Sequence, residues 1–315
     1  MKNIDICFLT DDGYAMQTCI AITSILKTKK DNIFYNIYIL CNKVSNDNLK
    51  KFEELDKKNL KINIIKLKNN DEYIKYDIKD IPASTTAIYK FNIPQILNKL
   101  DKVLYLDGDI IVHNDLSELF NYDIGNNYVG AVKDTAGLSK SLFKLFIKKN
   151  IFYFNSGVMI MNLKKMREDK VTELLIDYRI NGYNELMDQD ALNYVLHNKV
   201  CELPFKFNTQ LMFEWINNNI QQLKEYFKIT SDLKTAKDIM NNAVITHYSG
   251  KKKPWKHCDG PEHDLWIYYY YISPYKEYMI DRTINEKNNL NKKINSKINT
   301  YLKNYRRYKF YKKLG

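Results

Sequence analysis

Apolar positions fall in blocks along the first part of the chain. Residues 4–9, Ile-Asp-Ile-Cys-Phe-Leu, predict a buried strand, and residues 15–28 then place Ala15, Cys19, Ile22 and Leu26 at helical spacing. Thr10 to Tyr14 is the corner between them. A second strand is expected over 33–41, a helix over 46–58 opened by a Ser45 or Asn46 cap, and a third strand over 61–67 through Ile62, Ile64 and Leu67. Strands alternating with helices imply a parallel sheet covered on both faces.

Residues 84–99 read as helical, kinked or divided at Pro94. Residues 101–112 read as one apolar strand carrying acids near its far end, where sheets of this kind gather ligands. Shorter pieces follow: a strand near 127–132, a variable region at 136–150, an apolar segment at 151–163, and helices near 165–180 and 189–197. Residues 211–241 are polar and weakly periodic, as in surface helices or a lid. Residues 243–255 form a short buried strand entering a Gly- and Lys-rich turn, a plausible anion cradle. An aromatic stretch at 265–280 and an Asn- and Lys-rich one at 286–300 complete the pattern, with no internal repeat and no compositional break between domains.

With 315 residues, 45% of them hydrophobic, the chain can bury a substantial core. Its net charge of +12 is local: residues 287–315 carry ten Lys or Arg and no acid, leaving +2 for the rest. A nucleic-acid binder would spread its charge over a groove or stripe. Residues 301–315 combine six cationic and five aromatic side chains, which suits an anionic membrane surface at about 1 kcal/mol per basic residue. RNA or DNA can use the same charge and stacking surfaces. The confined location and the lack of a nucleic-acid module favour the membrane. Lys2, Asp5, Asp11 and Asp12 interrupt any signal-peptide core, and no stretch approaches 18 apolar residues, so neither export nor membrane spanning is expected. Cys7, Cys19, Cys41, Cys201 and Cys258 fit neither a disulfide framework nor a zinc module and read as reduced thiols.

Asp107 and Asp109 stand at i and i+2 on extended backbone and point the same way, with Gly108 between them admitting a ligand. Such a pair suits Mn²⁺ or Mg²⁺ and is costly without a counter-charge. A lone Asp-Gly-Asp is also a common turn; embedding in an apolar run makes it a site candidate. His247 precedes the turn holding Gly250 and Lys253. A lone His is often structural, but beside carboxylates an imidazole favours Mn²⁺ over Mg²⁺.

Five segments occur in order: Leu9-Thr-Asp-Asp-Gly-Tyr14, Lys102-Val-Leu-Tyr-Leu-Asp-Gly-Asp-Ile-Ile-Val112, Tyr153-Phe-Asn-Ser-Gly-Val-Met-Ile-Met-Asn-Leu163, Met187-Asp-Gln-Asp-Ala-Leu-Asn193 and His247-Tyr-Ser-Gly-Lys-Lys-Lys-Pro-Trp255. Together they resemble the retaining glycosyltransferases of family 8, of the bacterial lipooligosaccharide galactosyltransferase type, over about residues 3–258. The resemblance implies an α/β GT-A nucleotide-sugar-binding fold over residues 1–260, with a mainly parallel mixed sheet flanked by helices. Residues 261–315 would then be a helical extension ending in the basic aromatic tail.

By that resemblance Asp107, Asp109 and His247 hold Mn²⁺, with Mg²⁺ possible, against the diphosphate of a UDP-sugar. Asp11 and Tyr14 lie at the uracil, Gly250 and Lys253 lie at the diphosphate, and Gly108 is a further donor-binding position. Gly13 replaces the family's usual Asn, and Lys90 stands where relatives often place a donor-binding Arg. Asp134 resembles a sugar-hydroxyl ligand, while Asn155, Asp188 and Gln189 resemble residues lining the donor sugar and reaction centre. Without the resemblance Asn155 also reads as a cap or backbone bridge in a buried loop, Asp188 as the cap of a helix starting near Gln189, and Tyr14 as core packing.

The implied enzyme moves galactose or glucose from UDP to a saccharide, such as lipopolysaccharide or lipooligosaccharide, with retained configuration. It would work in a bacterial cytoplasm on the inner face of the membrane. Gln189 takes the place of a nucleophile, and because an amide is a poor one, front-face attack by the acceptor is preferred. Another UDP-hexose, a protein acceptor, or a non-catalytic saccharide-binding scaffold are the alternatives.

Overall fold

The computed structural model describes residues 2–67, 86–135, 152–181, 187–210, 220–250, 253–256 and 262–276. The expectations for 136–150, 211–219 and 286–315, and for Lys251, Lys252 and Cys258, lie outside those residues. Among the described residues the strands are β1 (Lys2–Thr10), β2 (Ile33–Cys41), β3 (Leu60–Lys66), β4 (Lys102–Leu106), β5 (Ile110–Val112), β6 (Val129–Lys133), β7 (Phe154–Asn162), β8 (Val200–Glu202), β9 (Thr209–Gln210) and β10 (Ile245–His247). One seven-stranded sheet runs β3-β2-β1-β4-β7-β6-β8, and a smaller sheet runs β5-β10-β9. In the large sheet β7 alone is antiparallel to both neighbours, β4 and β6. The remaining pairings are parallel, so the sheet is mixed and mainly parallel, as expected.

Period-two alternation sends each central strand's side chains into two different cores. Ile4, Ile6 and Phe8 of β1 join Leu104 and Leu106 of β4 and Val158 and Ile160 of β7 on one face. Cys7 and Leu9, Val103 and Tyr105, and Met159 and Met161 face the other way. That double burial explains the near-continuous apolar runs in the sequence. Cys7, Cys19 and Cys41 are buried free thiols, and burial pushes Cys41 up to about 12.

The helices begin with α1 (Ala15–Thr28) and α2 (Asn46–Glu53), the latter capped by the Ser45 hydroxyl accepting from the Asn48 amide. The second helix stops short of residue 58 because a Lys57 to Leu60 turn, with Asn59 at φ 66°, feeds β3. Pro94 does divide its segment, into α3 (Thr86–Phe91) and α4 (Ile93–Ile96), sitting at the start of the second piece where its missing N–H costs nothing. After α5 (Ser117–Phe120), the single helix expected over 165–180 is two, α6 (Leu163–Glu168) and α7 (Val171–Asn181), broken at Lys170 with φ 53°. Then come α8 (Met187–Leu196), α9 (Ile220–Tyr226), α10 (Ala236–Asn242) and α11 (His263–Ile272). Trp266 and Tyr270 of α11 are buried in the same core as Ile4 and Ile22. None of the helices among the described residues is long and apolar enough to cross a membrane.

The strand expected over 101–112 is in fact two strands in two sheets. β4 ends at Leu106, and after Asp107, Gly108 and Asp109 the chain re-enters as β5, antiparallel to β10. Gly108 makes the crossing possible, since a Cβ there would overlap the Thr18 hydroxyl and stand 3.3 Å from its backbone. The acids therefore occupy a seam between sheets.

Within the small sheet, between β5 and β10, His113 Nε2 lies 2.7 Å from Thr246 Oγ1. Burial pushes its imidazole down from 6.5 to about 4. The unfolded chain takes up this proton below its ordinary value and the folded chain does not. Stability is therefore lost as pH falls from 6.5 toward 4, by about 1.4 kcal/mol per pH unit for this group. His113→Asn should show a shallower loss in urea unfolding between pH 6.5 and 4.5; the same loss as wild type would contradict the assignment.

Candidate active site

β4 carries Asp107 to the seam, where its amide donates to the Gly157 carbonyl of β7 at 2.8 Å. The Asp109 carbonyl accepts from the Tyr248 amide at 2.9 Å, and β10 places His247 opposite Ile110. Oxygens of both acids and an imidazole nitrogen thus lie within 4.8 Å of one another. His247 Nε2 is 3.2 Å from Asp109 Oδ1 and 3.9 Å from Asp107 Oδ2. Two carboxylates and one imidazole make a donor set suited to a divalent cation. Gly157 keeps the cradle open, because a Cβ there would overlap His247 and lie 2.7 Å from Asp107 Oδ2.

Two lysines balance the acids. Lys253 Nζ lies 2.6 Å from Asp109 Oδ2 and also donates to the Tyr248 carbonyl. Burial would raise the Asp109 carboxyl, but His247 and Lys253 outweigh it and hold it far below the usual range. Lys90, delivered by α3 and only 5% exposed, sits 2.5 Å from Asp188 Oδ2 and 3.6 Å from Asp107 Oδ1. Burial would depress its ammonium, yet Asp107 and Asp188 hold it above its ordinary value, so it stays charged. The Tyr105 ring lies under it at 4.6 Å and the Tyr105 hydroxyl donates to Asp107 Oδ1 at 2.7 Å.

Beyond the acids, α8 faces the start of β7. Asn193 clasps both backbone groups of Phe154, accepting from its N–H and donating to its carbonyl at 2.8 Å each. That clasp sets Gln189 against the Ser156 amide, which donates to Gln189 Oε1 at 3.0 Å. Gln189 Nε2 donates to Asp134 Oδ2 at 2.9 Å, and Asn155 Nδ2 donates to the same oxygen at 3.0 Å. Asn155, in β7 and not a loop, both bridges to the Gly157 amide at 3.1 Å and joins a buried side-chain network. Asp188 does not cap a helix starting at Gln189; it lies inside the first turn of α8 and accepts from the Ser156 hydroxyl at 3.2 Å.

At the first corner, Asp11 Oδ1 accepts from the Tyr14 amide at 3.0 Å. Tyr14 is 42% exposed, so it is not core packing, and its ring meets Trp255 edge-on at 6.2 Å. Partial burial, then the charges of Asp109, Asp107 and Asp11, push its hydroxyl up to about 12. A Cβ at Gly13 would sit 3.4 Å from Asp11 Oδ1, so that corner has room for a side chain. Gly250 lies in the described start of the turn after β10.

The residues anticipated from sequence thus form a candidate cation-binding cluster with Lys253, Lys90 and Asp188 around it, a neighbouring amide network, and the Asp11 to Tyr14 corner. Sequence reasoning passes over Asn208, wholly buried between His247 and Asn155, because it lies outside all five motifs. Gly157 and Asn193 lie inside motifs, and their positions there were the signal; their contacts are visible only in three dimensions.

The glycosyl transferase family 8 pattern matches residues 5–259. General stress protein A of Bacillus subtilis is 28% identical over 82% of this chain and 90% of its own length. Lipopolysaccharide glucosyltransferase WaaO of Escherichia coli is 29% identical over 98% of this chain and 90% of its own. Among solved structures, the bifunctional glycosyltransferase WbbM superposes with a TM-score of 0.72 at 25% identity, over 89% of this chain and 52% of that one. Galactosyltransferase LgtC, solved with donor and acceptor sugar analogs, gives 0.64 at 24% identity over 84% of this chain and 95% of its own, a likeness of fold. A pattern running through the corner, the seam acids, the β7 and α8 network and the turn after β10 assigns this chain to glycosyl transferase family 8.

Proposed function

We propose that the chain is a retaining GT-A glycosyltransferase that moves galactose or glucose from UDP to a saccharide acceptor of the lipopolysaccharide or lipooligosaccharide kind. The observation that carries this reading is the convergence of Asp107, Asp109 and His247 at the seam between the sheets. Lipopolysaccharide glucosyltransferases among the relatives support the acceptor class.

Breaking the bond from the anomeric carbon to the UDP oxygen leaves charge on the diphosphate. Asp107, Asp109 and His247 would hold Mn²⁺, which when bound supplies positive charge to that leaving group. Lys253 adds a second cation from the turn, and Gly250, earlier in that turn, offers a backbone N–H to the diphosphate. Tyr14 and Asp11 offer a ring and a carboxylate to the uracil. Asp134, Asn155 and Gln189 present polar atoms to the sugar hydroxyls.

Among the described residues the carboxylates beside the sugar site are already engaged, Asp134 accepting from both Asn155 and Gln189. Asp188 is neutralised by Lys90 at 2.5 Å, and Gln189 is an amide held at both ends by Ser156 and Asp134. Attack by the acceptor hydroxyl on the same face, with its proton passing to the departing phosphate oxygen, is the route that fits. Residues 287–315 would hold the enzyme at the anionic cytoplasmic leaflet where such acceptors are anchored.

Screening UDP-sugars with Mn²⁺ should show release of UDP with one hexose. Asp107→Ala and Asp109→Ala should each lower turnover at least about 100-fold, the scale of several kcal/mol of lost charge stabilisation, with the circular dichroism spectrum unchanged. Unchanged turnover in either would count against its role. Gly157→Ala should weaken Mn²⁺ binding at least about tenfold by crowding His247 and Asp107; wild-type binding would contradict the cradle.

A further inference from the structure

An imidazole holds a cation only through the nitrogen that lacks a proton, so the contact at its other nitrogen decides whether the ligand is ready. His247 turns Nε2 to the acids and Nδ1 to Asn208 Oδ1, 3.0 Å away. The sense of that bond is dictated from the other end of a short buried chain. A carboxylate accepts and a backbone N–H donates. Asn155 lies between one of each: Nδ2 donates to Asp134 Oδ2 at 3.0 Å, and Oδ1 accepts from the Gly157 amide at 3.1 Å.

Asn155 Oδ1 also faces Asn208 Nδ2 at 2.9 Å, so Asn208 must donate there. Its amide nitrogen is thereby committed, and only its oxygen is left for His247. A proton is thereby held on Nδ1, and Nε2, which faces the acids, is the nitrogen left for a cation. Asn208 is fully buried. It stands just before β9, which runs parallel to β10, and this puts it beside the strand that carries His247.

We propose that Asn208 is a positioning residue that fixes His247 with Nε2 toward the cation. Its own sense is set two hydrogen bonds away, at Asp134. This inference rests on the reading of Asp107, Asp109 and His247 as a Mn²⁺ site. It gives the amide network a task besides contacting sugar: the network holds a metal ligand in one tautomer before any donor arrives.

The test is direct Mn²⁺ binding without nucleotide, read as loss of the free-ion electron paramagnetic resonance signal, for wild type, Asn208→Leu, Asn208→Asp and Asp109→Ala. N208L keeps the volume and removes the acceptor at Nδ1; it should bind Mn²⁺ about 10–100-fold more weakly. N208D gives up the Asn155 contact but keeps the acceptor, and should bind more tightly than N208L. A residue that merely packs predicts the reverse order, with the apolar variant harmless and the buried charge damaging. If circular dichroism shows either variant unfolded, N208S and N208A repeat the comparison with and without an acceptor. Binding lost in D109A but within about threefold of wild type in N208L would overturn this inference alone. A wild-type protein that leaves the Mn²⁺ signal unchanged would overturn the cation site and the inference together.

Discussion

Two like charges held at one seam are the constraint around which the site is arranged. The ligand atoms of Asp107, Asp109 and His247 lie within 4.8 Å of one another. At an effective dielectric of about 20, a carboxylate pair that close repels by on the order of 3–4 kcal/mol. The protein offsets this with Lys90 beside Asp107 and with Lys253, brought from 144 positions away, beside Asp109. A site assembled this way keeps a standing demand for positive charge, which a divalent cation would meet.

The fold supplies the seam by ending one strand and starting another within three residues. β4 belongs to the large sheet and β5 to the small one, and the link between them passes against α1 only because Gly108 has no side chain. β10 then delivers the imidazole from the opposite side. β7, antiparallel in an otherwise parallel neighbourhood, brings Gly157, Ser156 and Asn155 to the same end of the sheet as the acids. Burial of both sheet faces makes this frame stiff, so the distances between side chains are set by backbone packing.

Much of this is legible in sequence because it depends on local pattern. The apolar runs mark the central strands, Ser45 marks the start of α2, and Pro94 marks a helix boundary. The acids stand out as charges inside an apolar run. What periodicity cannot carry is a relation between distant segments. The split at Gly108 depends on Thr18, and the length of α2 depends on a positive φ at Asn59. Asn208 matters through a hydrogen bond to a residue 39 positions away, and nothing adjacent to it in the chain announces that partner.

The most direct test of the central claim is an anomalous difference map from crystals of the protein grown with Mn²⁺ and UDP, recorded near the manganese absorption edge. One strong peak bound by carboxylate oxygens of Asp107 and Asp109 and by His247 Nε2, with the diphosphate completing the shell, is the expected result. A manganese peak elsewhere, with His247 turned away from both acids, would contradict the account.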